Sequence, residues 1–400
     1  MLKNIIIIND FDYIQGGASK VAIDTANLLC NDYNVTFFSG ATINNNDLDK
    51  KVNKICTNQG EALKDKNRIR GFFNGIYNIK SKKELKKLLL KYNKEETIIH
   101  IHGWTKCLSS SVFDVAWKMN YKIILTLHDY FTACPNGGYF NYPENKICKL
   151  IPMTLKCINC NCDSRNYIFK LYRILRQFVQ NKIVKLNERL TDVISISEFS
   201  ENILKKTLND KVKIHRVYNP IEFDELTKEN KYLVKKEDYY LYVGRVTKEK
   251  GVDIFCEAIT KAKLKGIVVG DGAEKKVLES KYPSINFVGW KSKEEVKEYM
   301  KSAKAVIMPS RWYEGAPLTP LEAISNGTKC FVSNCCSAVD YINVDVGIIG
   351  FDIDNLDILE LESKTKKMNN TLILKYLKKF SVEEYKKNIL KIYKKMCGNE

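Results

Sequence analysis

Hydrophobic positions along the chain follow two alternating patterns. Short apolar runs occur at Asn4–Ile8, Asn34–Phe38, Thr97–Ile101, Lys122–Leu127, Asp192–Ile196 and Lys213–Tyr218. Runs of this length, bounded by polar residues, predict strands buried on both faces. Between many of them apolar residues recur at helical spacing, as in Ser19–Cys30 and Lys82–Tyr92. Such alternation predicts stacked βαβ units and a mostly parallel sheet. The pattern then restarts at Tyr239–Val243 and continues through Gly266–Val269, Ile285–Val288, Ala305–Met308, Lys329–Val332 and Gly347–Ile349. Between the two series, Asn219-Pro220 favours a turn, and the charged stretch to Asp238 reads as a linker. The expectation is an α/β protein of two domains, 1–218 and 219–400, facing each other across a central cleft. The last helix, Val382–Met396, is basic and amphipathic, and is expected to pack back on the first domain. Open α/β sheets bind ligands beyond the carboxyl ends of their strands. Functional residues are therefore expected just after strands.

Composition narrows this picture. The chain has 400 residues, 44% of them hydrophobic, with only 20 Gly and 8 Pro, which excludes collagen and a disordered scaffold. The longest aliphatic run, Ile5–Ile8, is followed at once by Asn9 and Asp10. It falls far short of the ~20 apolar residues of a membrane span and of the ~7–15 of a secretory signal. Thirteen cysteines without such a leader imply a reducing compartment. The expected location is cytoplasmic, including the inner face of the plasma membrane.

The 65 basic and 47 acidic residues leave a net charge of +18, which favours polyanionic partners. Basic residues cluster in Lys80–Lys94, Lys170–Arg189 and Lys364–Lys395. In the middle block, Ile168, Phe169, Leu171, Tyr172, Leu175, Phe178, Val179, Ile183, Leu186 and Leu190 recur at helical spacing, with Lys and Arg between them. A basic amphipathic helix either lies on an anionic membrane or turns its apolar stripe into the core. The core orientation is the expectation for this helix. Weak peripheral membrane association is expected for the protein as a whole.

Three loops of the second half carry the chemistry. Gly244-Arg245-Val246-Thr247-Lys248-Glu249-Lys250-Gly251 follows a strand, and Arg245 and Lys250 suit a diphosphate. Gly270-Asp271-Gly272 makes a tight turn after the next strand. Pro309 to Ala323 runs from a strand into a helix, with Pro317 expected in the first helical turn. Within it, Glu314 is expected before the helix and Glu322 in its second turn, both able to accept bonds from sugar hydroxyls. The helix start near Leu318 is expected to offer backbone donors to phosphate.

The order and spacing of these loops resemble the retaining glycosyltransferases of family 4, of bacterial polysaccharide-biosynthesis type. That resemblance implies a GT-B fold of two facing Rossmann-like domains. It implies that Arg245 and Lys250 hold the nucleotide diphosphate, that Glu314 and Gly315 face the donor sugar, and that Glu322 binds the ribose. Gly16 and Gly17, opening the first helix, match a loop lying over the donor diphosphate and acceptor. His128, in Thr126-Leu127-His128-Asp129-Tyr130, looks like the family histidine that contacts the donor sugar, and His102 like an acceptor-side residue. His100 is expected to be a core residue. One departure is the run Asn334-Cys335-Cys336-Ser337-Ala338-Val339-Asp340, where the family often has glycines and an acid. Ligand contacts usually ascribed to that loop are in doubt.

A cysteine-rich loop spans about 133–166. Cys134, Cys148, Cys157 and Cys160, with Cys162 as substitute, are expected to hold a structural zinc. The pairs Asp10/Asp12 and Asp352/Asp354 have a metal-type spacing but are read as turn residues. The expected activity is retaining hexosyl transfer from a nucleotide-diphosphate sugar to a saccharide hydroxyl. The acceptor is expected to be lipid-linked, in capsule, O-antigen or exopolysaccharide synthesis. Neither a catalytic cofactor nor a nucleic-acid partner is expected. The alternatives are a nucleotide-sugar 2-epimerase of similar fold and a basic zinc-containing nucleic-acid-binding protein.

Overall fold

A computed structural model describes residues 1–43, 46–223 and 236–398. In the first half, strands form at Asn4–Phe11 (β1), Asn34–Ala41 (β2), Asn53–Cys56 (β3), Thr97–Ile101 (β4) and Lys122–Leu127 (β5). A small hairpin follows, Phe140–Asn141 (β6) and Lys146–Ile147 (β7), then Asp192–Ser195 (β8) and Lys213–Arg216 (β9). Seven of these make one parallel sheet, ordered β3-β2-β1-β4-β5-β8-β9. Alternation along β1 fills both faces: Ile6 and Ile8 enter one core, Ile5 and Ile7 the other. The edge strand β3 has little apolar sequence and gives no hydrophobic signal of its own.

The second sheet is built from Tyr240–Val243 (β10), Gly266–Val269 (β11), Ile285–Gly289 (β12), Ala305–Met308 (β13), Lys329–Ser333 (β14) and Ile348–Phe351 (β15). Its order is β12-β11-β10-β13-β14-β15. Both sheets reverse strand order at the same relative place, between β1 and β4 and between β10 and β13. Chains leave such a point in opposite directions and open a crevice there. Most of the charged stretch read as a linker, residues 224–235, lies outside the described residues.

Two amphipathic helices are placed in opposite ways. The helix Val382–Met396 buries Tyr385, Ile389, Ile392 and Tyr393 in the core of the first domain. Tyr385 shares a 2.6 Å hydrogen bond with Thr25, and Tyr393 one of 2.6 Å with His100. The basic block from 168 to 190 is not one helix. It runs as Tyr167–Phe178, a wide turn closed by a bond from Val184 N–H to Val179 carbonyl, and Leu186–Arg189.

The expected orientation of this helix is corrected. Tyr172, Leu186 and Leu190 are buried as expected, but Ile168, Leu171, Leu175, Phe178 and Ile183 are exposed, whereas Lys170, Arg176, Gln177 and Gln180 are buried. The reason lies in the neighbouring loop, whose carbonyls need donors. Arg176 donates to Pro135 carbonyl (2.9 Å), Gln177 to Thr132 (3.2 Å) and Gln180 to Phe131 (3.0 Å).

Candidate functional site

On the second domain, close backbone contacts join the three loops. Gly270 has φ +138°, and a Cβ there would lie 1.9 Å from the Gly244 carbonyl oxygen. Gly251 has φ +68°, and a Cβ there would lie 1.8 Å from the Pro309 carbonyl oxygen. Only glycine permits both the conformation and the approach. The loops after β10, β11 and β13 are thereby held as one surface.

Lys250 and Glu314 meet on that surface. The ammonium lies 2.8 Å from both carboxylate oxygens, and Ser310 Oγ also donates to Glu314. Burial pushes the Glu314 carboxyl up, but the Lys250 charge and these hydrogen bonds hold it below its usual range. The Lys250 ammonium also sits 5.8 Å from the centre of the Trp312 ring. Arg245 is exposed, with its guanidinium 3.7 Å from Glu249. Arg311 forks onto Asp253, with a 2.7 Å bond to Oδ2.

Glu322 lies in the first turn of the helix Thr319–Ser325, not the second, and Leu318 precedes that helix. Pro320, rather than Pro317, occupies its start. Burial raises the Glu322 carboxyl, while the charges of Lys293, Lys20 and Lys297 pull it back. Lys20 belongs to the helix that Gly16 and Gly17 open, Gly17–Leu29.

The first domain supplies the opposite wall. A cavity of about 190 Å³ is lined by Asp10, Gly16, Gly17, His102, Lys106 and Asp129, among others. A Cβ at Gly16 or Gly17 would meet nothing within 4 Å. His102 Nδ1 lies 2.9 Å from His128 Nε2, and their rings stack with centroids 5.2 Å apart. Burial pushes His128 down to about 3, and burial with two histidine neighbours pushes His102 well below its usual value. Both rings are neutral near pH 7. His102 Nε2 is buried and has no partner among the described residues. His100 is a satisfied core residue, bonded at 2.6 Å to both Tyr393 and Thr126.

Asp10 corrects one expectation. It lies within β1, one residue before the strand's end, rather than in a turn, and its carboxylate accepts N–H bonds from Lys106 (2.9 Å), Cys107 (2.7 Å) and Leu108 (3.1 Å). It therefore shapes the loop bearing Lys106. Asp352 and Asp354 do lie in a turn, with Asp354 N–H on Asp352 (3.0 Å). Burial raises the Asp129 carboxyl to about 6, and it accepts the Phe131 N–H at 3.0 Å.

The two walls touch at their base. A Cβ on Gly315 would sit 2.6 Å from the His128 carbonyl oxygen. Ser197 Oγ donates to the Gly315 carbonyl at 2.6 Å. Asp340, in the departing loop, accepts the Phe199 N–H at 3.0 Å. That loop's acid thus holds the domains together.

The cysteine loop does not fit a zinc ion as placed. Among the described residues no group of three His, Cys, Asp or Glu side chains can hold a metal. Instead the buried Lys170 ammonium lies 3.2 Å from Cys162 Sγ and 3.6 Å from Cys157 Sγ. A fixed cation there opposes a second one. Cys160 accepts from Asn141 at 3.6 Å, and the expected set of Cys134, Cys148, Cys157 and Cys160 does not form a metal-holding group among the described residues.

Known proteins agree with this layout. A sucrose-phosphate synthase of Thermosynechococcus elongatus superposes over 100% of both chains, with TM-score 0.69 and 16% identity. An Anabaena protein, HepE, solved in complex with UDP, covers 98% of this chain and 100% of its own, with TM-score 0.64 and 12% identity. The fold is GT-B.

Within this GT-B chain, residues 224–390 match the family Glycosyl transferases group 1. An uncharacterized glycosyltransferase of Methanocaldococcus jannaschii is 26% identical over 51% of this chain and 59% of its own length. The chain thus aligns with less than two thirds of that relative. An uncharacterized protein from the cps region of Klebsiella pneumoniae is 22% identical over 80% of this chain and 77% of its own. An Escherichia coli UDP-Gal:alpha-D-GlcNAc-diphosphoundecaprenol alpha-1,3-galactosyltransferase is 27% identical over 34% of this chain and 41% of its own.

The GT-B cleft also contains residues that motif spacing had not assigned a role: Ser310, Trp312, Ser197, Lys106 and Asp129. Ser310 and Trp312 lie inside the Pro309–Ala323 run, and Asp129 directly follows His128. Their signal was adjacency to a recognised residue. Lys106 had none, since its position depends on Asp10, 96 residues away.

Proposed function

We propose that this protein is a retaining glycosyltransferase that moves a hexosyl group from a nucleotide-diphosphate sugar to a saccharide hydroxyl. The carrying observation is the Lys250–Glu314 pair, buried at a cleft whose other wall bears Gly16, Gly17 and neutral His102 and His128. Arg245 and Lys250 receive the diphosphate, and the ammonium trades part of its hold on Glu314 for phosphate oxygens. Glu314 then accepts bonds from donor-sugar hydroxyls, and Glu322 from the ribose. His128 lies beside Gly315 at the base of the cleft and is neutral, so it contacts the sugar without adding charge.

In the reaction the bond from the anomeric carbon to the diphosphate oxygen breaks. The acceptor oxygen bonds to that carbon on the same face, and its proton passes to the leaving phosphate. Arg245 and Lys250 stabilise the departing charge, the kind of preorganised electrostatics that supplies a large share of catalysis. No catalytic metal enters this reading. A lipid-linked acceptor in surface polysaccharide synthesis is supported by the names of the Escherichia coli and Klebsiella relatives. The work would take place at the cytoplasmic side of the membrane.

The test is thermal unfolding with UDP-, GDP-, ADP- and CMP-sugars, with and without EDTA. A donor at 100 times its Kd adds ~2.7 kcal/mol of stability. One nucleotide class should stabilise the protein, and Arg245→Ala and Glu322→Ala should remove that effect. Transfer to a polyprenyl-diphosphate saccharide, with the product anomer read by NMR, then checks retention. Stabilisation by no donor would sink the proposal. Epimerised sugar released without an acceptor would favour the epimerase instead.

A further inference from the structure

The outer face of the first domain carries an apolar surface that its own core does not use. The helices Arg68–Ile76 and Tyr167–Phe178 lie side by side there, with Phe72 and Tyr172 ring centroids 5.6 Å apart. Ile69 (72% exposed), Phe73 (64%) and Ile168 (76%) project outward, with Phe72, Leu171 and Leu175 beside them. Between the helices opens a cavity of about 420 Å³, lined by Leu63, Phe72, Ile168, Leu171, Tyr172 and Leu175. Contiguous exposed apolar surface of this kind marks an interaction site.

Its border is cationic. Lys66 and Arg68 flank one helix, beside Lys64 and Arg70 that pair with Glu61 and Asp65 at 2.7 Å each, and Arg165, Lys182 and Lys185 flank the other, all seven cations exposed. No Asp or Glu occurs between residues 164 and 185. A second copy of this chain would set these like charges against each other, which disfavours self-association. An anionic bilayer satisfies both features. Its headgroups attract the cations, and its acyl region accepts the apolar side chains.

We propose that this two-helix face docks on an anionic lipid bilayer, with a lipid hydrocarbon chain occupying the cavity between the helices. The placement bears on acceptor entry. Ala62, which lines the apolar cavity, donates its N–H to the Lys106 carbonyl at 2.8 Å. Lys106 in turn lines the small cavity beside His102 and Asp129. Arg176, on the second helix, reaches the carbonyl of Thr105 (3.4 Å), a lining residue of that same cavity. The docking face and the acceptor wall are therefore adjacent, and a saccharide carried on a membrane lipid enters the cleft from this side. That last consequence rests on the glycosyl-transfer reading, whereas the docking does not.

The experiment is flotation of the full chain with phosphatidylglycerol-containing and pure phosphatidylcholine vesicles at low salt. Wild type should float with the anionic vesicles. Ile168→Glu with Leu171→Glu, and separately Ile69→Glu with Phe73→Glu, should weaken binding at least tenfold. Arg165→Glu with Lys182→Glu should weaken it and flatten the salt dependence of what remains, since fewer ionic contacts are left to screen. Trp290→Glu, at a 76% exposed site on the second domain, should leave it unchanged. Unchanged unfolding midpoints confirm that the variants fold. Absence of wild-type binding, equal binding by the apolar variants, or a dimer dissolved by the same substitutions would overturn the proposal. Vesicle binding without stabilisation by any donor would support docking while failing the transferase reading.

Discussion

The two walls of the cleft share a topology and differ in chemistry. The second-domain wall is charged and tightly packed. Lys250 and Glu314 neutralise each other, and Gly270 and Gly251 leave no room for a side chain. The first-domain wall is uncharged at its histidines and open at Gly16 and Gly17. One half of the cleft is thus a rigid, ion-paired surface, while the other keeps open space and neutral histidines beside Asp10, Lys106 and Asp129.

The largest break in this comparison should come from Glu314→Ala. It leaves the partly buried Lys250 ammonium, 19% exposed, without its partner, which costs about 3–4 kcal/mol, toward the low end for a buried pair. Urea unfolding would measure it. A Lys250→Met, Glu314→Leu double variant should regain most of that stability yet fail to bind any donor. If Glu314→Ala unfolds like wild type, the pair is not the keystone of the charged wall.

Next in size is Gly270→Ala, which forces a Cβ against the Gly244 carbonyl at a strained φ. The expected loss is about 2–4 kcal/mol, again from urea unfolding.

The neutral wall should reveal itself through pH. His100 and His128 are held down to about 3, and His102 well below its usual value. Below about pH 6.5 the unfolded chain takes up protons that the folded chain refuses. Stability therefore falls with acidification, by up to ~1.4 kcal/mol per pH unit for each histidine. Asp129, raised to about 6, works the other way: its contribution is present below about pH 4 and is lost as pH rises through 6. Denaturation at pH 7, 6 and 5 should show the net fall, with a shallower slope in His128→Gln.

The smallest effect sharpens the contrast most. Gly17→Ala places a Cβ in open space, so stability should stay within about 0.5 kcal/mol of wild type. Donor binding, measured by calorimetry, should nevertheless weaken, because that space lies in the cleft.

Much of this was legible in the sequence. Apolar runs located most strands to within a few residues, because a strand buried on both faces needs an unbroken run. The loops bearing Arg245, Gly270 and Glu314 were legible through their joint order and spacing, since glycine or charge after a single strand is common and says little alone. The Lys250–Glu314 pairing was not, since 64 residues separate the two. Nor was the clamp by Asp10 on residues 106 to 108, nor the short strand β3, whose polar sequence gives no periodic signal.

The sequence by itself determined which residues share a helical face, because 3.6 residues per turn is a local property. It did so equally for the helices Tyr167–Phe178 and Val382–Met396. Only the tertiary structure decided which face turned inward. For the last helix, the first-domain sheet offered apolar surface, Thr25 and His100, so the apolar stripe was buried. For the other, the adjacent loop offered carbonyls and thiols, and Lys170, Arg176, Gln177 and Gln180 went inward to meet them. A buried polar backbone without partners costs more than an apolar stripe left outside. That balance depends on what the rest of the fold leaves unsatisfied.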